Sequence, residues 1–173
     1  MSLPHDWISP QWPAPARVRS LITTRNGGSS RGAFASFNLG LRCDDDPQAV
    51  AANHAQLARL LPQPPRWLRQ VHGPRVVDAD HLDGEVDADA SVARKPGTVC
   101  AIMIADCMPV LMCDENGEAV GVAHAGWRGL SSGVIENTLR AMDVEPARVL
   151  AYLGPAIGPT AFEVGDDVRA AFL

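Results

Sequence analysis

Two short apolar runs constrain the fold of this chain most. One leads to a cysteine and the other to a histidine, and both residue types can bind metals or act in catalysis. The first run covers residues 99–104 and leads to Cys107, and the second covers residues 119–123 and leads to His124. Runs this short, bounded by turn-forming residues, predict buried strands. A buried strand that ends on such a side chain holds it on a rigid scaffold, as a catalytic or binding site requires.

The segments on either side of these runs alternate between strand and helix patterns without a regular period. Residues 46–61 predict a helix, because Asp46 is suited to cap it and Pro47 to begin it. Residues 114–117 predict the turn of a hairpin. The irregular alternation indicates an α+β fold with mixed strands rather than a parallel βαβ array. The other predicted strands cover residues 18–24, 66–72, 76–77, 110–113 and 148–153, and a second helix covers residues 131–142.

Three positions predict irregular backbone or an unfinished element. Pro109 lacks an amide hydrogen, so a bulge or a sheet edge is expected at Cys107. Residues 124–129 contain two glycines and predict a sharp turn directly after the second run. Residues 163–173 begin like a helix capped by an aspartate and then stop on apolar residues, so we expect a C-terminal part of the domain to be missing.

Size and composition favour one globular domain over residues 1–173. The chain has 173 residues, of which 46% are hydrophobic and 20% charged, which is enough apolar sequence for a sizeable core. The net charge is −5, without the basic face of a nucleic-acid-binding protein. No apolar stretch has the length of a membrane span, and the first twelve residues lack a signal-peptide pattern. We therefore expect a cytoplasmic protein with free cysteines and no nucleic-acid or membrane partner.

Cys107 and His124 are candidate site residues because each stands where a buried run ends. In one interpretation both bind zinc together with His72, and a fourth coordination position stays open for water or substrate. In a second interpretation Cys107 is a nucleophile that His124 activates as a base. In a third, the three residues are unrelated. The spacing does not separate the first two, because both need one cysteine and a nearby histidine.

Charged residues near these positions have a functional and a purely structural interpretation. Asp106 is a candidate to orient a ligating histidine. One carboxylate of the pair Asp87 and Asp89 is a second candidate, although the acidic stretch 78–89 as a whole is typical of a solvated loop. Arg25 lies beside a glycine-rich turn and is a candidate anion contact, but the residue pattern favours a solvated loop charge.

Seven stretches of the chain follow one another as in a known protein family. By them the chain resembles the laccase-domain family of bacterial proteins, described variously as multicopper polyphenol oxidases, as purine nucleoside phosphorylases with adenosine deaminase activity, and as peptidoglycan editing factors. The resemblance implies a layered α-β-β-α fold, in which helices lie outside mixed sheets. The family's C-terminal segments are absent from this sequence, in agreement with the expected truncation. The matching stretches are residues 23–28, 37–40, 45–47, 70–73, 105–110, 124–129 and 153–158.

The resemblance also implies an activity and a set of site residues. The implied activity is zinc-dependent phosphorolysis of adenosine, inosine, guanosine or methylthioadenosine, with adenosine deaminase as a side activity. The alternatives are a Cys–His amidohydrolase that edits a peptidoglycan precursor and, less favoured, a copper polyphenol oxidase. Copper is disfavoured because the chain has 5 histidines, whereas several copper ions need many imidazoles. The implied metal ligands and catalytic residues are His72, Cys107 and His124, and the implied substrate-binding residues are Arg25, Asn38 and Arg128.

The implied partners are small molecules. A nucleoside and phosphate are the expected substrates, and the protein is expected to be a monomer or a weak homo-oligomer.

Overall fold

The computed structural model describes residues 6–173, which divide into two compact units. The first unit comprises residues 6–11 and 19–64, and the second comprises residues 12–18 and 65–173. The expectations of one domain over residues 1–173 and of a missing C-terminal part stay predictions. Within the described residues, no helix is both long and apolar enough to cross a bilayer. All four cysteines lie in the described part and are free, as expected.

The first unit contains the helix α1, Pro47–Ala58, and a short 3₁₀ helix, Gly32–Phe34. The Asp46 side chain accepts a hydrogen bond of 2.9 Å from the amide of Gln48, so the predicted cap is confirmed. The helix ends three residues before the predicted end at residue 61. The strand predicted at residues 18–24 is wrong, because this stretch contributes only a single bridge, between Ile22 and Ile8.

The second unit is built on a mixed sheet with the strand order β1-β2-β4-β3-β5. β1 and β2 are parallel, and every other neighbouring pair is antiparallel. This arrangement confirms the α+β class and the predicted hairpin of β3 and β4. The described residues form one mixed five-stranded sheet with helices packed against it. The strands are β1 (Val76–Asp78), β2 (Ala90–Ala93), β3 (Met108–Asp114), β4 (Val120–Ala125) and β5 (Val149–Leu153).

The prediction of strands was wrong at three places in this unit. Residues 99–104 and 66–72 form no strand and contribute only single bridges. The backbone amide and carbonyl of Met103 both hydrogen-bond to the side chain of Gln70. At Met103 the apolar stretch 99–104 therefore pairs with a side chain and not with a neighbouring strand. Conversely, β2 was not predicted, because its four small residues follow an acidic stretch; all four are buried between β1 and β4.

Residues 105–107 form bends and β3 begins at Met108, so the backbone at Cys107 is irregular as predicted. The predicted bulge is wrong, because no strand precedes Cys107. The predicted sheet edge is wrong, because β3 lies between β4 and β5. Pro109 is tolerated in this inner strand because it is the second residue, and the pairing with β5 begins only at Val110.

The segment after β4 forms helices where a turn and one longer helix were predicted. His124 lies within β4, and α2, Trp127–Ser131, follows after Gly126. Gly133 has a φ of +87°, which separates α2 from α3, Val134–Met142. α3 packs on the sheet and buries Val134 and Met142 against it. A 3₁₀ helix, Pro146–Arg148, precedes β5, and the predicted C-terminal helix is α4, Asp166–Ala171, with Gly165 rather than an aspartate at its cap position.

Candidate metal centre

The three predicted ligands, His72, Cys107 and His124, meet at one end of the sheet of the second unit. Cys107 directly precedes β3, and His124 is the last residue but one of β4. Across this hairpin Met108 pairs with Ala125, so the cysteine and the histidine are carried by adjacent strands. The nitrogen and sulfur donor atoms of the three residues all lie within 4.8 Å of one another. The structure therefore brings together the set that the sequence singled out.

His72 reaches this position through an unusual backbone conformation. Its φ is +60°, in the left-handed region that a residue with a Cβ rarely adopts. The carboxylate of Asp89 accepts hydrogen bonds from the amides of Val71 (3.0 Å), His72 (2.9 Å) and Gly73 (2.8 Å). Three hydrogen bonds to one buried carboxylate offset the cost of about 1–3 kcal/mol that such a conformation carries.

The same carboxylate orients the second histidine. Asp89 Oδ1 lies 2.8 Å from Nδ1 of His124, and the backbone amide of His124 donates to the carbonyl of Asp89 at 2.7 Å. A carboxylate at Nδ1 favours the tautomer with its proton on Nδ1, which leaves Nε2 unprotonated for a metal ion. Of the carboxylates considered from the sequence, Asp89 has this role, whereas Asp87 pairs with Arg69.

Asp89 is ionised in this setting. It is completely buried, and burial opposes ionisation of its carboxyl. The hydrogen bonds from His124 and from the three amides outweigh the effect of burial, so the pKa of Asp89 lies below its usual value. A buried negative charge next to three donor atoms is the electrostatic complement of a divalent cation.

The surroundings of Cys107 suit a metal ligand better than a free nucleophile. Burial raises the pKa of its thiol, and the neighbouring charges of Asp106 and Asp89 raise it further. An activated cysteine nucleophile requires a lowered pKa. A metal ion displaces the thiol proton directly, because its charge stabilises the thiolate.

Glycines of the 124–129 stretch allow the three segments to approach closely. A Cβ placed on Gly126 would lie 2.7 Å from the sulfur of Cys107 and 3.3 Å from Cδ2 of His72. A Cβ on Gly129 would lie 3.3 Å from the backbone oxygens of Gly73 and His124. The sequence predicts a turn from these glycines, and in the structure they leave space around the donor atoms.

Two further contacts tie the ligand-bearing segments together, and the sequence offered no signal for either. The Gln70 amide group donates to the carbonyl of Met103 at 2.8 Å and accepts from its amide at 2.7 Å, which joins the segment of His72 to that of Cys107. The amide of Ile157 donates to the carbonyl of Asp106 at 2.9 Å. The loop after β5 therefore supports the residue directly before Cys107.

The three predicted substrate-binding residues lie in different parts of the chain. Arg128 is exposed in α2, and its guanidinium carbon lies 4.2 Å from the centre of the Trp127 ring. Arg25 belongs to the first unit, where its Nε donates to the carbonyl of Ala35 at 2.8 Å. Asn38 belongs to the same unit, and its side chain donates to Asp45 and accepts from Gly40. Their roles in substrate binding stay predictions.

The donor set fits zinc by its chemistry. Two imidazole nitrogens and one thiolate are ligands that zinc uses, and three protein ligands leave a coordination position for water or substrate. Among residues 6–173, the group of His72, Cys107 and His124 is the only one whose donor atoms converge in this way. A set of several copper ions needs more imidazoles than this group supplies. The site thus accommodates one ion.

The chain is similar to one known family and to several named proteins. Residues 19–173 match the family model described as multi-copper polyphenol oxidoreductase laccase. The chain is 53% identical over 167 residues to "Purine nucleoside phosphorylase PA4543" of Pseudomonas aeruginosa, with coverage of 96% of this chain and 69% of the relative. It is 51% identical over 172 residues to "Purine nucleoside phosphorylase YfiH" of Escherichia coli, with coverage of 96% and 70%.

Solved structures show the same fold. The Neisseria meningitidis protein NMB0706 superposes with a TM-score of 0.94 at 51% identity and covers 97% of this chain and 70% of its own. YlmD from Geobacillus stearothermophilus superposes with a TM-score of 0.88 at 31% identity, covering 99% and 70%. The chain thus spans about 70% of the length of these relatives.

Proposed function

The chain belongs to the multi-copper polyphenol oxidoreductase laccase family, and from this premise we propose that it is a zinc-dependent purine nucleoside phosphorylase. One observation carries the proposal: two imidazoles and a thiolate converge around a position that one divalent ion with an open coordination site would fill. Relatives that are more than half identical to it are named purine nucleoside phosphorylases. The proposed substrates are adenosine, inosine, guanosine and methylthioadenosine, together with phosphate.

In the proposed reaction a phosphate oxygen bonds to the anomeric carbon of the ribose while the bond from that carbon to the purine nitrogen breaks. The products are the purine and the 1-phosphate of the sugar, which is ribose or, from methylthioadenosine, methylthioribose. The proton that the purine takes up balances the one that HPO₄²⁻ loses when its oxygen bonds to the sugar. A guanidinium binds phosphate through two parallel hydrogen bonds, so Arg128, or Arg25 of the first unit, is the proposed phosphate contact. Asn38 is the third proposed substrate-binding residue.

His72, Cys107 and His124 would hold the zinc ion in this proposal. When bound, zinc supplies Lewis acidity toward a substrate oxygen or toward a water molecule, and the latter is the chemistry of the proposed adenosine deaminase side activity. Asp89 contacts Nδ1 of His124 at 2.8 Å and accepts from the amide of His72 at 2.9 Å. These residues of the chain thus orient the site before the substrate binds.

A second candidate function is a thiol amidohydrolase that acts on a peptidoglycan precursor. The observation in its favour is that His124 lies between Asp89 and the cysteine region, in the order that a nucleophile, a base and an orienting carboxylate require. Against it stand the raised pKa of the Cys107 thiol and the presence of His72, which this chemistry does not need. Copper-dependent polyphenol oxidation is the least favoured function, because the site has three converging donors.

The proposal is tested by metal quantification and by turnover of a nucleoside panel with and without phosphate. We expect about one zinc per chain and release of purine that depends on phosphate. Cys107→Ala should abolish both, whereas the matched variant Cys100→Ala should keep both, since Cys100 is also half-buried but lies outside the site. Unchanged turnover in Cys107→Ala would end the proposal. Rapid labelling of Cys107 by an electrophile in metal-free active protein would favour the amidohydrolase.

The cytoplasmic location and the monomeric or weakly oligomeric state stay predictions that accompany this proposal.

A further inference from the structure

We propose that Asp89 is the positioning residue of the metal centre, because one carboxylate sets both the tautomer of His124 and the backbone conformation of His72. The inference rests on the metal site of the proposed function. It concerns how the ligands are held and not which substrate is converted. The experiments that test it therefore measure metal binding and the tautomer of His124, and not turnover.

Both oxygens of the Asp89 carboxylate accept two hydrogen bonds each. Asp89 Oδ1 accepts from the amide of His72 at 2.9 Å and from Nδ1 of His124 at 2.8 Å. Asp89 Oδ2 accepts from the amides of Val71 at 3.0 Å and Gly73 at 2.8 Å. Four N–H groups thus point at two oxygens, and the residue is completely buried, so no bulk water substitutes for a lost partner.

Asparagine at position 89 has one side-chain oxygen and one amino group, so it cannot accept hydrogen bonds from all four N–H groups in either orientation. If the oxygen of Asn at this position faces His124, the amino group faces the amides of Val71 and Gly73, which are also donors. If the oxygen faces those amides, the amino group faces Nδ1 of His124, which must then give up its proton. The imidazole proton would move to Nε2, the atom that would otherwise bind the metal. Each orientation disturbs one ligand.

The two ligands that Asp89 holds come from segments far apart in the sequence. Backbone hydrogen bonds of Arg69 with Val86 and Ala88 also join these segments, but they end three residues before His72. His72 stands in the left-handed region at a φ of +60° and is exposed to solvent, so little packing restrains its side chain. His124 is buried in β4, and its ring centre lies 4.7 Å from that of His72. A carboxylate that binds both segments fixes the distance between the two imidazoles before an ion arrives.

The chain contains a matched control for a merely structural carboxylate. Asp114 is also buried, and its two oxygens accept from three backbone amides of the β3–β4 turn, at 2.6–3.0 Å. Those donors belong to Asn116, Glu118 and Ala119, and no imidazole is among them. Asp114→Asn thus perturbs a comparable set of backbone hydrogen bonds in the β3–β4 turn, at the end of this hairpin away from Cys107 and His124.

The experiment compares Asp89→Asn and Asp114→Asn in the full chain with Co²⁺ as the probe, since the visible absorption of Co²⁺ reports the number and geometry of its ligands. We expect Asp89→Asn to bind Co²⁺ about 10–100-fold more weakly and with an altered spectrum. Asp114→Asn should lose stability but keep the affinity and the spectrum of the parent chain. A parent-like spectrum and affinity in Asp89→Asn would overturn the inference, as would equal losses of affinity in the two variants.

A second measurement needs no variant and covers the case in which Asp89→Asn does not fold. The ¹⁵N chemical shifts of the His124 ring in the metal-free parent chain report which nitrogen carries the proton. We expect the proton on Nδ1 and an unprotonated Nε2. A proton on Nε2 would overturn the inference. A chain that shows the expected tautomer and whose Co²⁺ affinity depends on Asp89, but that cleaves no nucleoside, would refute the proposed function and leave this inference standing.

Discussion

Gly126 shows at the residue scale how little space separates the ligands of the centre. Its backbone has a φ of −64° and a ψ of 159°, an ordinary extended conformation that alanine adopts without strain. A Cβ at this position would nevertheless lie 2.7 Å from the sulfur of Cys107, closer than side-chain atoms approach one another. The requirement for glycine here is therefore one of space and not of backbone freedom.

We predict that Gly126→Ala weakens metal binding by on the order of tenfold or more, because the added methyl group displaces the Cys107 sulfur. The measurement is a competition titration of Zn²⁺ against a chromogenic chelator. Gly158→Ala is the control, since a Cβ there meets no atom within 4 Å. An unchanged affinity in Gly126→Ala would show that the sulfur is not held where the structure places it.

At the scale of elements, the hairpin of β3 and β4 carries two of the three ligands at one end and a buried aspartate at the other. Asp114 is 3% exposed and closes the turn by accepting from three amides. Burial opposes ionisation of Asp114, but these amides and the nearby charge of Arg148 outweigh burial and hold its pKa below the usual value. The turn thus depends on an ionised carboxylate.

The lowered pKa of Asp114 predicts a pH dependence of stability with a definite sign. Because the pKa of the folded state lies below that of the unfolded state, the stabilisation is complete above pH ~4 and disappears as the pH falls through the folded-state pKa. We expect Asp114→Asn to lower the free energy of unfolding by about 2 kcal/mol at pH 7.

This difference should shrink toward zero in acid, as measured by urea unfolding of both proteins at several pH values between neutral and strongly acidic. The other aspartates with lowered pKa values are present in both proteins, so they cancel in the difference. A difference that stays constant with pH would contradict the assignment of the effect to the carboxylate charge.

At the scale of the whole molecule, the centre joins three stretches that are far apart in the sequence of the second unit. Asp89 connects the segment of His72 to β4, and Gln70 connects it to the segment before Cys107. An ion bound to all three ligands would bind the folded chain and not the unfolded one. Its binding free energy therefore adds to the stability of the fold.

We predict that removal of the metal by a chelator lowers the midpoint of thermal unfolding. The bound metal stabilises the folded chain by about 2.7 kcal/mol when the free metal concentration is 100 times the dissociation constant. The control is His72→Ala, which lacks one ligand and should unfold at the same temperature with and without chelator. Differential scanning calorimetry measures both. Equal midpoints for the parent chain with and without chelator would contradict a ligand role for all three residues.

The sequence by itself determined the features that depend on local chemistry. The cap of α1 at Asp46, the hairpin turn after β3 and the irregular backbone at Cys107 follow from residue types at adjacent positions. Cys107 and His124 were also identifiable as candidates, because each follows an apolar run, whereas the complete ligand set with His72 was what the resemblance to a family implied.

The tertiary structure alone decided which segments pair and which carboxylate serves the site. Residues 99–104 have the apolar pattern of a strand but pair with the side chain of Gln70, whereas the short stretch of β2 becomes a buried strand because β1 and β4 enclose it. Asp89 lies 35 residues from His124 in sequence, and nothing local distinguishes it from Asp87 or Asp106. The physical reason is that a hydrogen-bond partner or a strand neighbour is set by which distant segments pack together, and the residue pattern of one segment carries no information about the other.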